Sequence, residues 1–337
     1  MNGTKTTDAK LVSRLQSGER LTRGGKSLPT SFLEEFVALS RRYSIAEKLV
    51  LGDTQVTYSP TSLKADLNPK GNIVEQGEKL AVAERERHSL SRGPILEIDA
   101  LIEDQGLKVI ARRFPAESTS LGAFFFDGDI GPTIFLDASA SNADRFYVLA
   151  RLYGHFLADY EPYPYIVCGR PDPESFDDVA VIRAHTFALA FLMPESDINM
   201  YREALGLERN EVLRAEFVEQ LQTYFEVDAE LILWRLLSLE WVSASQLKTF
   251  LQEQPTIAQS LQQAPVRQKG HDALPDRLVQ LVAHGFGGDK LNLKEAAGLL
   301  GVNEQETISL LGQFRYDESG TAPPTSPSLE TDDESIH

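Results

Sequence analysis

Cysteine is almost missing from this chain of 337 residues, in which Cys168 stands alone. No intramolecular disulfide can form, and no cluster of thiolates can hold a zinc ion. Long apolar runs are lacking too. No stretch reaches the roughly 18 consecutive apolar residues that a spanning helix needs. The opening residues MNGTKTTDAKLVSRLQSGERLTRGGK hold no apolar segment of a secretory leader. A cytoplasmic location without membrane association is expected. Hydrophobic residues still make up 42%, enough for a sizeable core, and the length suggests two or three domains.

Positive charge is the next scarcity. Residues 316–337 hold Asp317, Glu318, Glu330, Asp332, Asp333 and Glu334 but no Lys or Arg, and the whole chain carries a net charge of -17. So acidic a chain repels nucleic-acid phosphates unless a local basic patch overrides the field. Residues 1–28 supply such a patch, with Lys5, Lys10, Arg14, Arg20, Arg23 and Lys26 against Asp8 and Glu19. Being polar and aperiodic, this segment reads as a disordered basic arm, and 316–337 as a disordered acidic tail.

Between the two, periodicity dominates. Phe32, Phe36, Leu39, Tyr43 and Ala46 recur at helical spacing. With a second helix over about 76–90 they define a helical region at 29–90. A short helix near 95–105 precedes LKVIARRF, and then LGAFFFDG and PTIFLDA flank the turn Asp127-Gly128-Asp129-Ile130-Gly131, which reads as a β-hairpin. Two helices come next, at about 142–159 and 176–193, joined by a loop with four prolines and stopped by Pro194. Further helices extend over 201–254. A Gln- and Pro-bearing linker is expected at 255–272, and a last helical unit at 273–315.

The succession of helix, hairpin, helix, loop and a helix ending Phe187-Ala188-Leu189-Ala190-Phe191-Leu192-Met193-Pro194 resembles the ImmA/IrrE family of zinc metallopeptidases, from about Ile95 to Pro194. The segment 217–247 also resembles the stretch downstream of the peptidase core in members with a repressor-type DNA-binding domain. The resemblance implies an α+β, mostly helical fold: a zincin-like core at 91–200 with a small sheet and two active-site-type helices, plus flanking helical domains. It also implies an HExxH helix, whose two histidines four apart take the metal while the Glu serves as general base. At that place this chain reads Arg151-Leu152-Tyr153-Gly154-His155. A guanidinium cannot ligate zinc or give up its proton, and Leu152 cannot accept one. The family's third ligand, a Glu on the next helix, falls at Val181. His155 is a remnant ligand, so no zinc and no other cofactor is expected.

Other carboxylates and imidazoles lie near. His155 and Asp159 share a helix face, and His185 sits on the following helix; with Asp178 they are candidates to line the cleft. A displaced zinc site on His155, Asp159 and His185 is the rival expectation, disfavoured because one helical turn, about 5.4 Å, separates Asp159 from His185 across the pair. A buried His155 bonded to backbone or near Tyr153 is preferred. Arg151 either pairs with Asp177, Asp178 or Glu174, replacing the metal as a cross-link, or stands solvated in an open cleft.

The C-terminal unit, LNLKEAAGLLGVNEQETISLLGQF, has a helix-turn-helix look with Gly301 at the turn. Its second helix opens with Glu304 and Glu306 and lacks Lys and Arg, which suits packing or protein contact better than phosphate. Active relatives cleave a repressor and so switch transcription. A regulator on the same scaffold is expected to bind a protein partner, such as a repressor-type transcription factor, without cleaving it. The alternatives are an active metallopeptidase with displaced ligands and a DNA-binding regulator using the basic arm or the C-terminal unit.

Overall fold

The computed structural model describes residues 2–17, 19–21, 26–52, 71–90, 92–169, 178–262 and 273–313. These divide into two compact units, one formed by residues 1–44 with 54–275 and the other by 45–53 with 276–337. Among the described residues, no helix is long and apolar enough to cross a membrane.

The first unit is built on a mixed sheet in the order β1-β5-β3-β4-β2. Its strands are β1 (Arg20–Leu21), β2 (Lys108–Arg112), β3 (Ser120–Asp127), β4 (Gly131–Asp137) and β5 (Tyr165–Gly169). The expected hairpin is β3–β4, antiparallel with Phe124 opposite Ile134. Its turn is held by the Asp127 carboxylate, which accepts from the Asp129 and Ile130 amides at 3.0 and 3.2 Å. β2 joins β4 in parallel, and β5 joins β3 antiparallel.

Strand alternation gives the sheet two apolar faces. Phe124, Ile134, Leu136, Ile166 and Cys168 belong to the main core. Phe125 and Phe135 point the other way, where Phe36 meets Phe135 at 3.9 Å between ring centroids. Phe36 lies on α2 (Thr30–Leu51), so helices cover both faces of the sheet. This places the N-terminal part of α2 in the same unit as the core, not in a separate region at 29–90. The remaining elements of the unit are α3 (Ile73–Arg87), α4 (Ile98–Asp104), α5 (Asn142–Asp159), α6 (Val179–Leu192), α7 (Glu195–Ala204), α8 (Ala215–Phe225), α9 (Ala229–Ser238), α10 (Ala244–Glu253) and α11 (Pro255–Gln262).

Three expectations need correction. The basic arm is not disordered throughout: α1 covers Asn2–Ser17, and Leu11, Val12 and Leu15 are buried. Three apolar residues at helical spacing outweigh a polar composition once a surface is there to receive them. The loop between α5 and α6 contains the buried strand β5, because the prolines flank Tyr165-Ile166-Val167-Cys168 without interrupting it. The linker begins as helix α11, with Pro255 in its first turn where a missing N–H costs nothing; residues 263–272 and the acidic tail lie outside the described residues.

α3 and α6 approach closely because Gly77 has no side chain. A Cβ there would stand 2.7 Å from the Arg183 carbonyl oxygen and 2.8 Å from Thr186 Cβ. Two guanidinium groups then hold the carbonyl end of α6. Arg85 of α3 donates to Phe191 O at 2.7 Å, and Arg235 of α9 to Met193 O at 2.9 Å. Cations at a helix C-terminus satisfy its orphan carbonyls and complement its dipole.

The second unit contains α12 (Asp276–Gly287), α13 (Leu293–Leu300) and α14 (Glu304–Gln313). Asn292 caps α13 in a reciprocal box with Glu295. Gly301 closes α13 in the left-handed conformation, φ 73, giving the turn expected before α14.

Gly77→Ala should be costly, because a backbone carbonyl cannot swing aside as a side-chain tip can. We expect a loss of about 2 kcal/mol, read as a lower denaturant midpoint.

Candidate functional site

α5 carries the site. It starts at a Ser141 cap, whose hydroxyl accepts from the Asp144 amide at 3.1 Å, and ends at Asp159 as the sequence spacing predicts. Its positions 147, 151, 155 and 159 recur every four residues and form one stripe. All four are buried: Tyr147, Arg151, His155 and Asp159. Cys168 on β5 shares the core into which this stripe is set.

Arg151 is 1% exposed. It is therefore not solvated in an open cleft. Nor does it pair with Asp178, which serves as the N-cap of α6, accepting from the Ala180 and Val181 amides at 2.9 and 3.4 Å. Capping absorbs that carboxylate because α6 otherwise opens with unbonded amides. Glu174 and Asp177 lie outside the described residues. Among the described residues, Nε and Nη1 of Arg151 have no hydrogen-bond partner. Burial works against its charge, and Tyr147 and Cys168 are the groups near enough to favour it.

His155 is fully buried, as preferred, but its ring nitrogens make no hydrogen bond to backbone or to Tyr153. Tyr153 points elsewhere: its hydroxyl donates to the buried Glu84 carboxylate on α3. Asp159 lies beside His155, with Nδ1 3.6 Å from Oδ2. Burial opposes charging His155, yet Asp159 and Cys168 together outweigh it and raise its pKa. Burial likewise pushes the Asp159 carboxyl up, but His155 and Arg183 hold it below the ordinary value. Arg183 of α6 bonds Asp159 directly and Gln76 of α3 at 3.1 Å, so one guanidinium ties three helices.

His185 is bound differently. Its Nδ1 is 2.6 Å from the Tyr147 hydroxyl, and Trp234 of α9 meets its ring edge-on at 5.7 Å. Burial, and then the Arg151 charge, push its pKa down to about 3. Burial raises Tyr147 to about 12. A neutral tyrosine therefore faces a neutral imidazole. The remaining positions are apolar. Leu152 is fully buried in the main core, Val181 is buried in the first turn of α6, and Phe187 lies against Gly154, where a Cβ would approach its ring to 2.7 Å.

This arrangement does not suit a zinc ion. At the positions the resemblance assigns to two ligands and the base stand a permanent cation, Arg151, and two nonpolar side chains, Leu152 and Val181. No group of three or more His, Cys, Asp or Glu stands together as a ligand set among the described residues. His155 and Asp159 are neighbours, while His185 is committed to Tyr147. Sequence reasoning missed Tyr147, Cys168, Arg183 and Trp234. Only the fourfold spacing of Tyr147 with Arg151 signalled any of them.

Helices on both faces of a small mixed sheet give the α+β, mostly helical arrangement expected of a zincin-like core. Residues 102–237 match the family model Peptidase_M78, the IrrE N-terminal-like domain. The match spans about two fifths of the chain and ends within α9. No curated protein matches the chain.

The His185 shift fixes a pH dependence. With a folded pKa of about 3 against an unfolded value of about 6.5, the unfolded chain binds the extra proton between those limits. The contribution to stability is complete above the unfolded value and is lost as pH falls towards 3. His185→Gln should flatten the stability-against-pH curve between about pH 6.5 and 4; its imidazole resonances in the parent protein should not titrate between about pH 5 and 8.

Proposed function

We propose that this protein is a pseudo-peptidase: a metallopeptidase-like domain that has lost zinc and catalysis and works by binding a protein partner. The carrying observation is Arg151, buried without a carboxylate partner among the described residues, at the position of the first metal ligand in the resemblance. A guanidinium held there repels a dication rather than binding it. Leu152 and Val181 remove the general base and the third ligand at the same time, so no single substitution restores the chemistry. A scaffold packed this completely around an inert stripe retains its surfaces for recognition. The resemblance favours a repressor-type transcription factor as the partner, and a role in transcriptional or stress-response control in the cytoplasm.

The C-terminal unit fits the same reading. α14 presents Glu304 and Glu306 in its first turn, with the Glu306 amide capped by Asn303 at 2.8 Å. Acidic groups at the head of the second helix oppose phosphate, and Ile308 is 58% exposed on it. Protein contact is the better use of that surface.

Metal analysis of the full-length protein tests the central claim. We expect far less than one zinc per chain and no chelator-sensitive cleavage of a repressor-type substrate. Stoichiometric zinc together with such cleavage would establish the displaced-ligand peptidase instead. DNA binding should be weak and nearly flat between about 50 and 200 mM salt; a steep loss of affinity over that range would return the nucleic-acid reading.

A further inference from the structure

Arg151 presents an unsolved charge balance. Its guanidinium stays protonated at any physiological pH and is 1% exposed. An unpaired charge in a dry interior is strongly destabilising unless something neutralises it. The described carboxylates of α5 and α6 near it are engaged elsewhere, and Glu230 of α9 acts on Tyr147 rather than bonding the guanidinium. Asp159, two turns along α5, is bonded to Arg183. Asp178 caps α6. Tyr147 is kept neutral by burial. Two N–H donors of Arg151, Nε and Nη1, meet no acceptor among the described residues. One turn away, His155 adds a fully buried ring close to Cys168; its Nε2 makes no hydrogen bond among the described residues and its Nδ1 is turned towards Asp159. Buried orphan donors on adjacent turns of one helix face call for a water or an ion, and a water molecule would supply hydrogen bonds but no charge.

We propose that Arg151 and His155 form a buried binding site for a small monovalent anion of the halide class. One fixed cation without a carboxylate partner among the described residues calls for one negative charge; a divalent anion would overcompensate it. The orphan donors are Nε and Nη1 of Arg151, with the buried His155 ring one turn away. The apolar residues around the stripe, Leu152 and Phe156 among them, favour a weakly hydrated halide over a strongly hydrated oxyanion. The anion acts as a structural counter-ion, and its occupancy sets how firmly α5 is held against the sheet. The internal rival is Cys168, whose thiolate would neutralise Arg151 without any external ion.

Bromide serves as the probe. Crystals of the full-length protein soaked in sodium bromide should show anomalous density within hydrogen-bonding reach of Arg151 Nε or Nη1. In solution, bromide or chloride should raise the melting temperature by about 3 °C over gluconate at equal ionic strength, and Arg151→Met should abolish the difference. Absence of bromide density, with equal melting in all three salts, would overturn the site and leave Cys168 as the counter-ion. The soak needs no variant, so a poorly folding Arg151→Met cannot obscure the answer. The result also separates from the metal question: stoichiometric zinc would sink the pseudo-peptidase reading, while bromide density reports on Arg151 directly.

Discussion

A guanidinium cannot shed its proton, and Arg151 is buried. The arrangement of the core follows from that constraint. A buried lysine or histidine can escape its penalty by becoming neutral; arginine must be surrounded instead. The stripe on α5 meets this demand by grading its neighbours. Tyr147 above is neutral, His185 across from it is kept neutral by burial and by the same charge, and the only carboxylate on the stripe sits two turns away, tied to Arg183. A metal ion would draw in carboxylates and neutral imidazoles as ligands, whereas here the neutral His185 is bonded to Tyr147 and Asp159 to Arg183. The electrostatics of the stripe are consistent with a site organised around a fixed single charge.

The helices around α5 are fixed by polar contacts as much as by apolar burial. Glu84 lies at the centre of a second buried network, accepting from Tyr153 and Arg87. Burial pushes its carboxyl up, but those partners outweigh it and hold its pKa below the ordinary value. Tyr153 belongs to the same turn as Arg151 and Gly154, so successive residues of one short sequence serve different purposes. Arg151 faces the stripe, Leu152 fills the apolar core, Tyr153 reaches α3, and Gly154 admits Phe187. A turn that the resemblance assigns to metal binding here answers to its packing neighbours.

Much of this was legible in the sequence, and the failures have physical causes. The bounds of α5 and the β3–β4 hairpin come from the Ser141 cap, helical periodicity and the turn at Asp127 to Gly131. The presence of Arg151, Leu152 and Val181 where the resemblance places ligands and base is likewise read locally, since it concerns spacing within two helices. β5 was hidden because five residues between prolines carry too short a period to separate strand from loop. α1 was hidden because its apolar stripe is only three residues wide in a polar segment. The neighbours of the stripe were hidden for a different reason: Cys168 and Trp234 come from other elements, and nothing in local spacing brings them together. Which carboxylate would be free to pair with Arg151 depended on Asp178 being consumed by a cap, a competition visible only in three dimensions.

Arg85 and Arg235 hold the same end of α6 from opposite sides in sequence, one from before the family segment and one from its last turns. Gly77 and Gln76 meet α6 from that same earlier helix. The evolutionary domain and the physical body therefore have different borders. A fragment starting at residue 102 would keep every position of the family motif yet strip α6 of the helix lying on it, leaving a long apolar flank wet and Asp159, with its Arg183, without the Gln76 brace. The smallest piece able to stand alone must reach back at least to Asn72, the cap from which α3 begins.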